Sequence, residues 1–155
     1  MYFNYNRHGE VVVYVDGACR NNGTRWAQAG AGVWFKNNHE LNLSSTVPGI
    51  PTNNNAEIFA AVLAIKILLK NNEYRAEIIT DSKFLYDCMT RYILKWRNNG
   101  WMTQKGNIVA NKYMLQKLDN HQNVMHKVRF THIRGHSNNF GNQQADMLAR
   151  KAVYH

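Results

Sequence analysis

The sequence predicts a single α/β domain built on a five-stranded mixed sheet. The chain has 155 residues, 45% of them hydrophobic, which suits one domain with its own core. Five short apolar segments have strand character, and the first three follow one another with no helix between them. Helical and strand patterns then alternate. This order predicts three antiparallel strands followed by parallel strands, flanked by helices.

The first strand is predicted from the near-continuous apolar run over 10–15, which is typical of a strand buried on both faces. Asp16-Gly17 is expected to end it, and 21–23 (Asn-Asn-Gly) is expected to form a turn. Two further strands are predicted over 28–36 and 40–47. They are expected to form a hairpin through Asn37-Asn38.

The second half begins with a predicted helix over 55–69, where Ile58, Val62, Ile65 and Leu69 recur at helical spacing. A buried strand is predicted over 76–80 and a helix over 82–92. The remaining predictions are a helix over 110–121, a strand over 126–133 and a helix over 143–153.

Composition and charge limit the classes of partner. Formal net charge is +9, and a basic surface suits a protein that attracts a polyanion such as nucleic acid. No apolar run reaches the roughly 20 residues of a membrane span, and no secretory signal is evident. Cys19 and Cys88 are far apart and form no metal-binding pair. We therefore expect an intracellular protein, cytoplasmic or nuclear, with reduced cysteines and no membrane partner.

Four phrases carry most of the functional information: VVVYVDGA, TNNNAEI, IITDSKF and GNQQADMLAR. Each places one carboxylate at an element boundary or against an apolar surface, where an unpaired charge is costly. These carboxylates are Asp16, Glu57, Asp81 and Asp146.

Each acid also has an ordinary structural interpretation. Asp16 could begin a turn, and Asp81 could cap a helix.

The other two acids have helical alternatives. Glu57 could close a capping box with Asn54, and Asp146 could pair with Arg150 at i,i+4 spacing.

Taken together, the four acids are expected to meet at one rim of the sheet. A cluster of acids without Cys or paired His favours a hard cation such as Mg²⁺, with Mn²⁺ as a substitute. Cations are needed because like charges this close repel one another. Two ions about 3.5–4 Å apart can stabilise both the attacking and the leaving oxygen of a phosphodiester displacement.

On these four phrases, and on RGHSNNFGN before the last acid, the chain resembles type 1 ribonuclease H from about residue 11 to 152. The resemblance implies a ribonuclease H-like fold and an endonuclease that cuts RNA in RNA/DNA hybrids, leaving 5′-phosphate and 3′-hydroxyl ends. It divides the chain into a short N-terminal extension, 1–10, and a catalytic domain, 11–155. No obligate protein partner is expected, since nothing in the sequence requires one, and a monomer is expected.

The resemblance also implies roles for the acids. Asp16 is expected to bridge two Mg²⁺ ions, and Asp146 to help hold the ion that activates water. Glu57 and Asp81 are expected to help hold the ion that stabilises the departing 3′ oxygen. His136 resembles the family histidine that assists turnover through proton transfer or product release.

Contacts to the RNA strand are implied for Cys19, Asn21 and Asn22 after the first acid, and for Asn53 and Asn54 beside the second. Amide side chains suit this task because a 2′-hydroxyl both donates and accepts hydrogen bonds.

Contacts to the DNA strand are implied for Thr52 and Asn111, which match two positions of the family's phosphate pocket. The family often has Arg where this chain has Ile50, so another basic side chain would have to compensate. The family uses the segment that here lies between Lys83 and Lys117 as a basic protrusion along the DNA strand. Phe84 and Trp96 match the aromatic residues of its DNA channel. Either Trp96 or Trp101 could instead be a core residue, and Trp101 is the one expected there.

Two other functions fit part of this pattern. One is a nucleic-acid-binding module that keeps the fold without cutting, for which a missing acid would be the mark. The other is the nuclease part of a reverse-transcribing element, which shares the same catalytic set.

Overall fold

The computed structural model describes residues 2–135 and 138–154. Its strands are β1 (Val11–Arg20), β2 (Gln28–Trp34), β3 (Leu43–Thr46), β4 (Arg75–Thr80) and β5 (Lys127–His132). Its helices are α1 (Asn53–Lys70), α2 (Lys83–Asp87), α3 (Ile93–Asn99), α4 (Lys112–Gln122) and α5 (Phe140–Lys151), with a π-helical turn, Cys88–Tyr92, between α2 and α3.

The strands form one mixed sheet in the order β3-β2-β1-β4-β5. β1 pairs antiparallel with β2, as does β2 with β3, whereas β4 is parallel to both β1 and β5. The predicted fold class is therefore confirmed, because the helices that connect the later strands return the chain in the same direction.

The first strand is longer than predicted. β1 passes through Asp16-Gly17 and reaches Arg20, because its second half pairs with β2 and places Asp16 opposite Gly32. The parallel pairing with β4 covers only the stretch from Val11 to Tyr14. Asp16 therefore lies just beyond the parallel part of the strand, and the Asp-Gly turn signal is overridden by the ladder to β2.

Helices pack on both sides of this strand. α1 is buried along most of its length, with Ile58, Ile65 and Leu68 fully enclosed in the core. On the other side α5 approaches β2 closely. A Cβ atom on Gly32 would lie 2.1 Å from the Ala145 carbonyl oxygen, so only glycine fits there.

The predicted helix over 82–92 is wrong in its detail. After α2 the chain widens into the π-helical turn, where the Ile93 N–H donates to the Cys88 carbonyl. The Thr90 hydroxyl donates to the Tyr86 carbonyl at 2.6 Å, a side-chain bond of the kind that disturbs regular helices. α3 then continues to Asn99 and ends at Gly100 in the left-handed conformation.

The other elements match their predictions with shifted ends. The last helix begins three residues earlier than expected, at Phe140, because the Asn139 side chain accepts from the Asn142 N–H at 2.9 Å and caps it. Before β1, Phe3 lies in the core and Tyr5 forms a β-bridge with Val11. The division at residue 10 stays a prediction. None of the helices in the described ranges combines the length and apolarity that a membrane crossing requires.

Candidate active site

Three of the four predicted acids meet where β1, α1 and β4 adjoin. Asp16, Glu57 and Asp81 each offer a carboxylate oxygen, and these oxygens all lie within 4.8 Å of one another. Asp16 and Glu57 are buried and Asp81 is half-buried. The expected gathering of these acids from three separate elements is therefore found in the fold.

Gly17 makes this approach possible. Its backbone N–H donates to Asp16 Oδ1 at 2.9 Å and to Glu57 Oε1 at 2.6 Å. A Cβ atom at this position would lie 2.6 Å from the Glu57 backbone nitrogen. The glycine therefore allows α1 to lie against β1 and links the two carboxylates through one donor.

Glu57 is not part of a capping box with Asn54. The N-cap of α1 is Thr52, whose hydroxyl accepts from the Asn55 N–H at 3.2 Å. Glu57 is only 7% exposed, and its Oε2 has no hydrogen-bond partner among the described residues. A buried carboxylate oxygen without a partner is costly, and a bound cation would satisfy it.

Asp81 follows β4, but it does not cap α2. Ser82 performs that role, because its hydroxyl accepts from the Leu85 N–H at 3.0 Å. Asp81 instead accepts a hydrogen bond from the buried Asn142 side chain, with Nδ2 and Oδ2 3.2 Å apart.

The interpretation of the sequence missed Asn142. It lies in the GNQQAD phrase one helical turn before Asp146, and this i,i+4 spacing was the signal that could have identified it.

Asp146 projects from α5 and is half-buried. It makes no ion pair with Arg150 in the described residues, because that guanidinium lies 4.9 Å from the centre of the Tyr154 ring. Asp146 is not within the 4.8 Å group, although its negative charge contributes to the electrostatics of Glu57. It therefore stands at the edge of the cluster.

The protonation of the cluster reflects burial and repulsion. Burial raises the pKa of Asp16, and the charges of Glu57 and Asp81 raise it further. Burial also raises the pKa of Glu57, with additional contributions from the charges of Asp81 and Asp146. Three carboxylates cannot all remain ionised at this spacing without a cation.

A hard divalent cation fits this arrangement. Its preferred ligands are carboxylate oxygens, which all three residues supply, and the unpaired Glu57 Oε2 is available as one of them. Cys19 and Cys88 are free thiols, and neither belongs to the cluster. The acids are therefore suited to a hard divalent cation rather than to a thiophilic metal.

His136 lies outside the described residues. The nearest described position before it, Gly135, approaches the site, since a Cβ atom there would lie 3.5 Å from Asp81 Oδ2. The role of the histidine stays a prediction.

The predicted RNA-strand residues lie at the end of β1, in the turn after it and at the start of α1. Cys19 Sγ is 3.2 Å from the Pro51 carbonyl oxygen, which links the end of β1 to the segment before α1. Asn21 and Asn22 are exposed in the turn after β1, and Asn53 and Asn54 are exposed in the first turn of α1. These side chains are free to contact a ligand.

Of the predicted DNA-strand residues, Asn111 lines a cavity of about 370 Å³ together with Ile50, Lys112 and Lys117. The two lysines place positive charge in this cavity although Ile50 supplies none. Thr52 does not line it, and its hydroxyl caps α1.

Phe84 and Trp96 are both partly buried against the core. Trp101 is buried, as expected, and its ring centre is 5.8 Å from that of Trp96. Trp96 therefore packs against the buried Trp101 ring, and part of its own side chain remains exposed. It lines a cavity of about 510 Å³ together with Lys95 and Lys105.

Comparisons with known proteins agree with this geometry. The RNase H family model matches residues 8–154. Ribonuclease H1 of Rattus norvegicus is 41% identical over 143 residues, which are 92% of this chain and 50% of that protein. The chain thus spans about half the length of the mammalian relatives it matches. Ribonuclease H of Francisella philomiragia is 32% identical over 152 residues, covering 96% of this chain and 94% of that protein.

Solved structures show the same fold. A type 1 RNase H with the type 2 active-site motif is 27% identical, with a TM-score of 0.72 over 90% of this chain and 70% of that one. An RNase H1 solved in complex with an RNA/DNA hybrid has a TM-score of 0.64 at 23% identity, covering 92% and 95% of the two chains. Because the family model matches nearly the whole length of this chain, the chain belongs to the ribonuclease H family.

Proposed function

We propose that this protein is an endonuclease that hydrolyses RNA phosphodiester bonds in RNA/DNA hybrids, leaving 5′-phosphate and 3′-hydroxyl ends. The observation that carries the proposal is the cluster of Asp16, Glu57 and Asp81, whose carboxylate oxygens lie within 4.8 Å of one another in a chain of this family. The fourth acid, Asp146, is also present, so the chain lacks none of the family's acidic positions.

Two Mg²⁺ ions are proposed as cofactors, with Mn²⁺ as a substitute. Asp16, Glu57, Asp81 and Asp146 would hold them. When bound, they would supply Lewis-acid activation of water and stabilisation of the leaving oxygen. The repulsion among the acids and the unpaired Glu57 Oε2 support this assignment.

The chain's own residues would position these ligands. The Gly17 N–H orients both Asp16 and Glu57, and the Asn142 amide orients Asp81. Such fixed supporting hydrogen bonds reduce the reorganisation needed during reaction. His136 is proposed to transfer a proton or to assist product release.

The hybrid would be held by two surfaces. Contacts to the RNA strand are proposed for Cys19, Asn21, Asn22, Asn53 and Asn54. Contacts to the DNA strand are proposed for Thr52, Phe84, Trp96 and Asn111, with Lys112 and Lys117 supplying the charge that Ile50 lacks.

We propose that the protein acts as an intracellular monomer, and its two free cysteines are consistent with a reducing compartment.

One experiment tests this function directly. Labelled RNA/DNA hybrid, duplex RNA and duplex DNA are each incubated with the protein in Mg²⁺ and in EDTA. Cleavage of the hybrid alone, and only in Mg²⁺, is expected. Equal cutting of all three duplexes would remove the substrate assignment, and cutting in EDTA would remove the metal assignment.

A further inference from the structure

The loop between β1 and β2 is a hydrogen-bonded turn with a defined shape. Asn21 and Gly23 adopt left-handed conformations, with φ of 56° and 83°. The Thr24 N–H donates to the Asn21 carbonyl at 3.1 Å, and the Trp26 N–H donates to the Thr24 hydroxyl at 3.2 Å. The backbone that carries Trp26 is therefore held in place by the loop itself.

This loop presents an aromatic and basic surface. Trp26 is 66% exposed, and it is the most exposed of the four tryptophans in the chain. The Arg25 guanidinium lies 4.6 Å from the centre of its indole ring. We call this pair the Arg25–Trp26 platform. An exposed ring beside a cation is the combination that nucleic-acid-binding surfaces use for stacking and phosphate contact.

The charge around the platform favours a polyanion. No acidic residue occurs between Asp16 and Glu40, and Arg25 forms no ion pair in the part of the chain that the structure describes. Arg20 is already engaged, because its guanidinium donates to the Val153 carbonyl. Arg25 is therefore the cation in this loop that remains available for a phosphate.

The platform follows the end of the strand that carries Asp16. Asp16 and Arg20 are four residue steps apart along β1, which is about 13 Å at roughly 3.3 Å per residue. Because a nucleic-acid strand advances about 3.4 Å per nucleotide along its axis, this distance corresponds to roughly four nucleotides.

From these observations we infer that the Arg25–Trp26 platform is an additional hybrid-binding site, several nucleotides from the cleaved bond, that contacts one flank of the bound hybrid. Trp26 packs on a sugar or base, and Arg25 neutralises a phosphate. This inference rests on the proposed function, because the substrate held at the acidic cluster must be a nucleic-acid duplex.

The test compares Trp26→Ala, Arg25→Ala and the wild-type protein for binding to a long hybrid in EDTA, so that the substrate stays intact. Tyr2→Ala is the matched control. Tyr2 is another exposed ring, 81% accessible with Lys36 Nζ 6.0 Å from its centre, and it precedes β1 rather than following it. Thermal melting establishes that each variant folds. Arg25→Ala decides the outcome should Trp26→Ala not fold.

Trp26→Ala is expected to raise Kd at least about fivefold, which is the low end of the effect of removing one stacking contact. Arg25→Ala is expected to lower the slope of log Kd against log salt by about one. In Mg²⁺, Trp26→Ala should raise KM and leave kcat unchanged, because the ring is far from the reacting atoms. Hybrids shortened at one end or at the other should separate the two flanks. Shortening the flank that the platform contacts should abolish the difference in Kd between Trp26→Ala and the wild type, and shortening the opposite flank should leave that difference unchanged.

The inference would be overturned if both platform variants had the same Kd and salt slope as Tyr2→Ala and the wild type. It would also be overturned if the binding defect persisted on both shortened hybrids. Failure of the proposed function would be seen separately, in the wild-type protein, as a lack of selective hybrid cleavage.

Discussion

The backbone N–H of Gly17 donates to Glu57 Oε1 at 2.6 Å, so the strand that carries Asp16 also orients the glutamate of α1. The same N–H lies 2.9 Å from Asp16 Oδ1. One donor therefore fixes two carboxylates relative to each other, and the absence of a side chain at this position allows the helix to approach the strand.

Gly17→Ala should therefore damage the site as well as the fold. The new Cβ would lie 2.6 Å from the Glu57 nitrogen, and α1 would have to move. Overpacking of this kind costs about 1–3 kcal/mol of stability. Denaturant unfolding and hybrid cleavage at a temperature where the variant is folded measure the two effects.

Met125→Ala is the control for a loss of stability alone, because Met125 is buried just before the amino end of β5, whereas Asp81 follows the carboxyl end of the parallel strand β4. A comparable loss of stability with retained cleavage is expected for the folded control. Wild-type cleavage by Gly17→Ala would contradict the proposed role of this close approach.

Asn142→Ala should weaken metal use without removing a metal ligand. The variant loses the amide that donates to Asp81 Oδ2, so the carboxylate is no longer held in one orientation. Loss of such a supporting contact typically costs 10–100-fold in metal affinity or activity. The Mg²⁺ concentration that gives half-maximal cleavage is the measurement, and it should rise.

Asn139→Ala controls for damage to α5, since it removes the side-chain cap at the start of the same helix. It should lower stability by about 1 kcal/mol and leave the Mg²⁺ dependence unchanged. Parallel shifts in Mg²⁺ dependence for the two variants would mean that Asn142 acts only through helix stability.

Neutralising one acid should stabilise the metal-free protein. The charge of Asp81 raises the pKa of both Asp16 and Glu57, which is a direct expression of repulsion in the folded state. In EDTA, Asp81→Asn should gain on the order of 1 kcal/mol in stability. Melting curves with and without Mg²⁺ test this, and Mg²⁺ should raise the Tm of the wild type more than that of the variant.

Glu40→Gln, which removes an exposed acid remote from the cluster, should show neither effect. A wild-type Tm that is unaffected by Mg²⁺ would argue against metal binding by these carboxylates.

Stability should also fall in mild acid because of His39. This side chain is 8% exposed, stacks on Phe3 with ring centres 4.9 Å apart, and its Nε2 has no partner among the described residues. Burial lowers the pKa of His39, with a further contribution from Lys36. As the pH falls through about 6.5, the unfolded chain binds a proton that the folded chain resists, so the free energy of unfolding decreases.

Denaturant unfolding between neutral pH and pH 5 should show this decrease in the wild type and a smaller one in His39→Phe. His8→Gln, which changes an exposed histidine, should retain the wild-type slope. An identical pH dependence in His39→Phe and the wild type would contradict this explanation.

The mixed sheet, with antiparallel strands before parallel ones, could be predicted because it depends on hydrophobic patterning along whole elements. The buried strand before Asp81 and the apolar stripe of α1 are examples. The full extent of β1 could not be predicted, because Asp16-Gly17 carries a strong local turn signal and only the pairing with β2 overrides it. The π-helical turn at Cys88–Tyr92 was missed because it depends on a local side-chain hydrogen bond.

The cluster illustrates the same limit at the level of single residues. Local interpretations allowed a cap at Asp81 and a capping box at Glu57, and only the fold shows that Ser82 and Thr52 take those roles. Asn142 could not be assigned to Asp81, because the two residues are 61 positions apart. The i,i+4 spacing to Asp146 could mark Asn142 as a neighbour of the site, but its bond to Asp81 depends on tertiary packing.

The most direct test of the central claim is cleavage of a labelled RNA/DNA hybrid by Asp81→Asn in Mg²⁺. The variant keeps the size of the side chain and removes the charge of one of the three clustered carboxylates, so cleavage should be lost while the protein remains folded. Cleavage by folded Asp81→Asn at the wild-type rate would contradict the assignment of these acids as the metal-dependent active site.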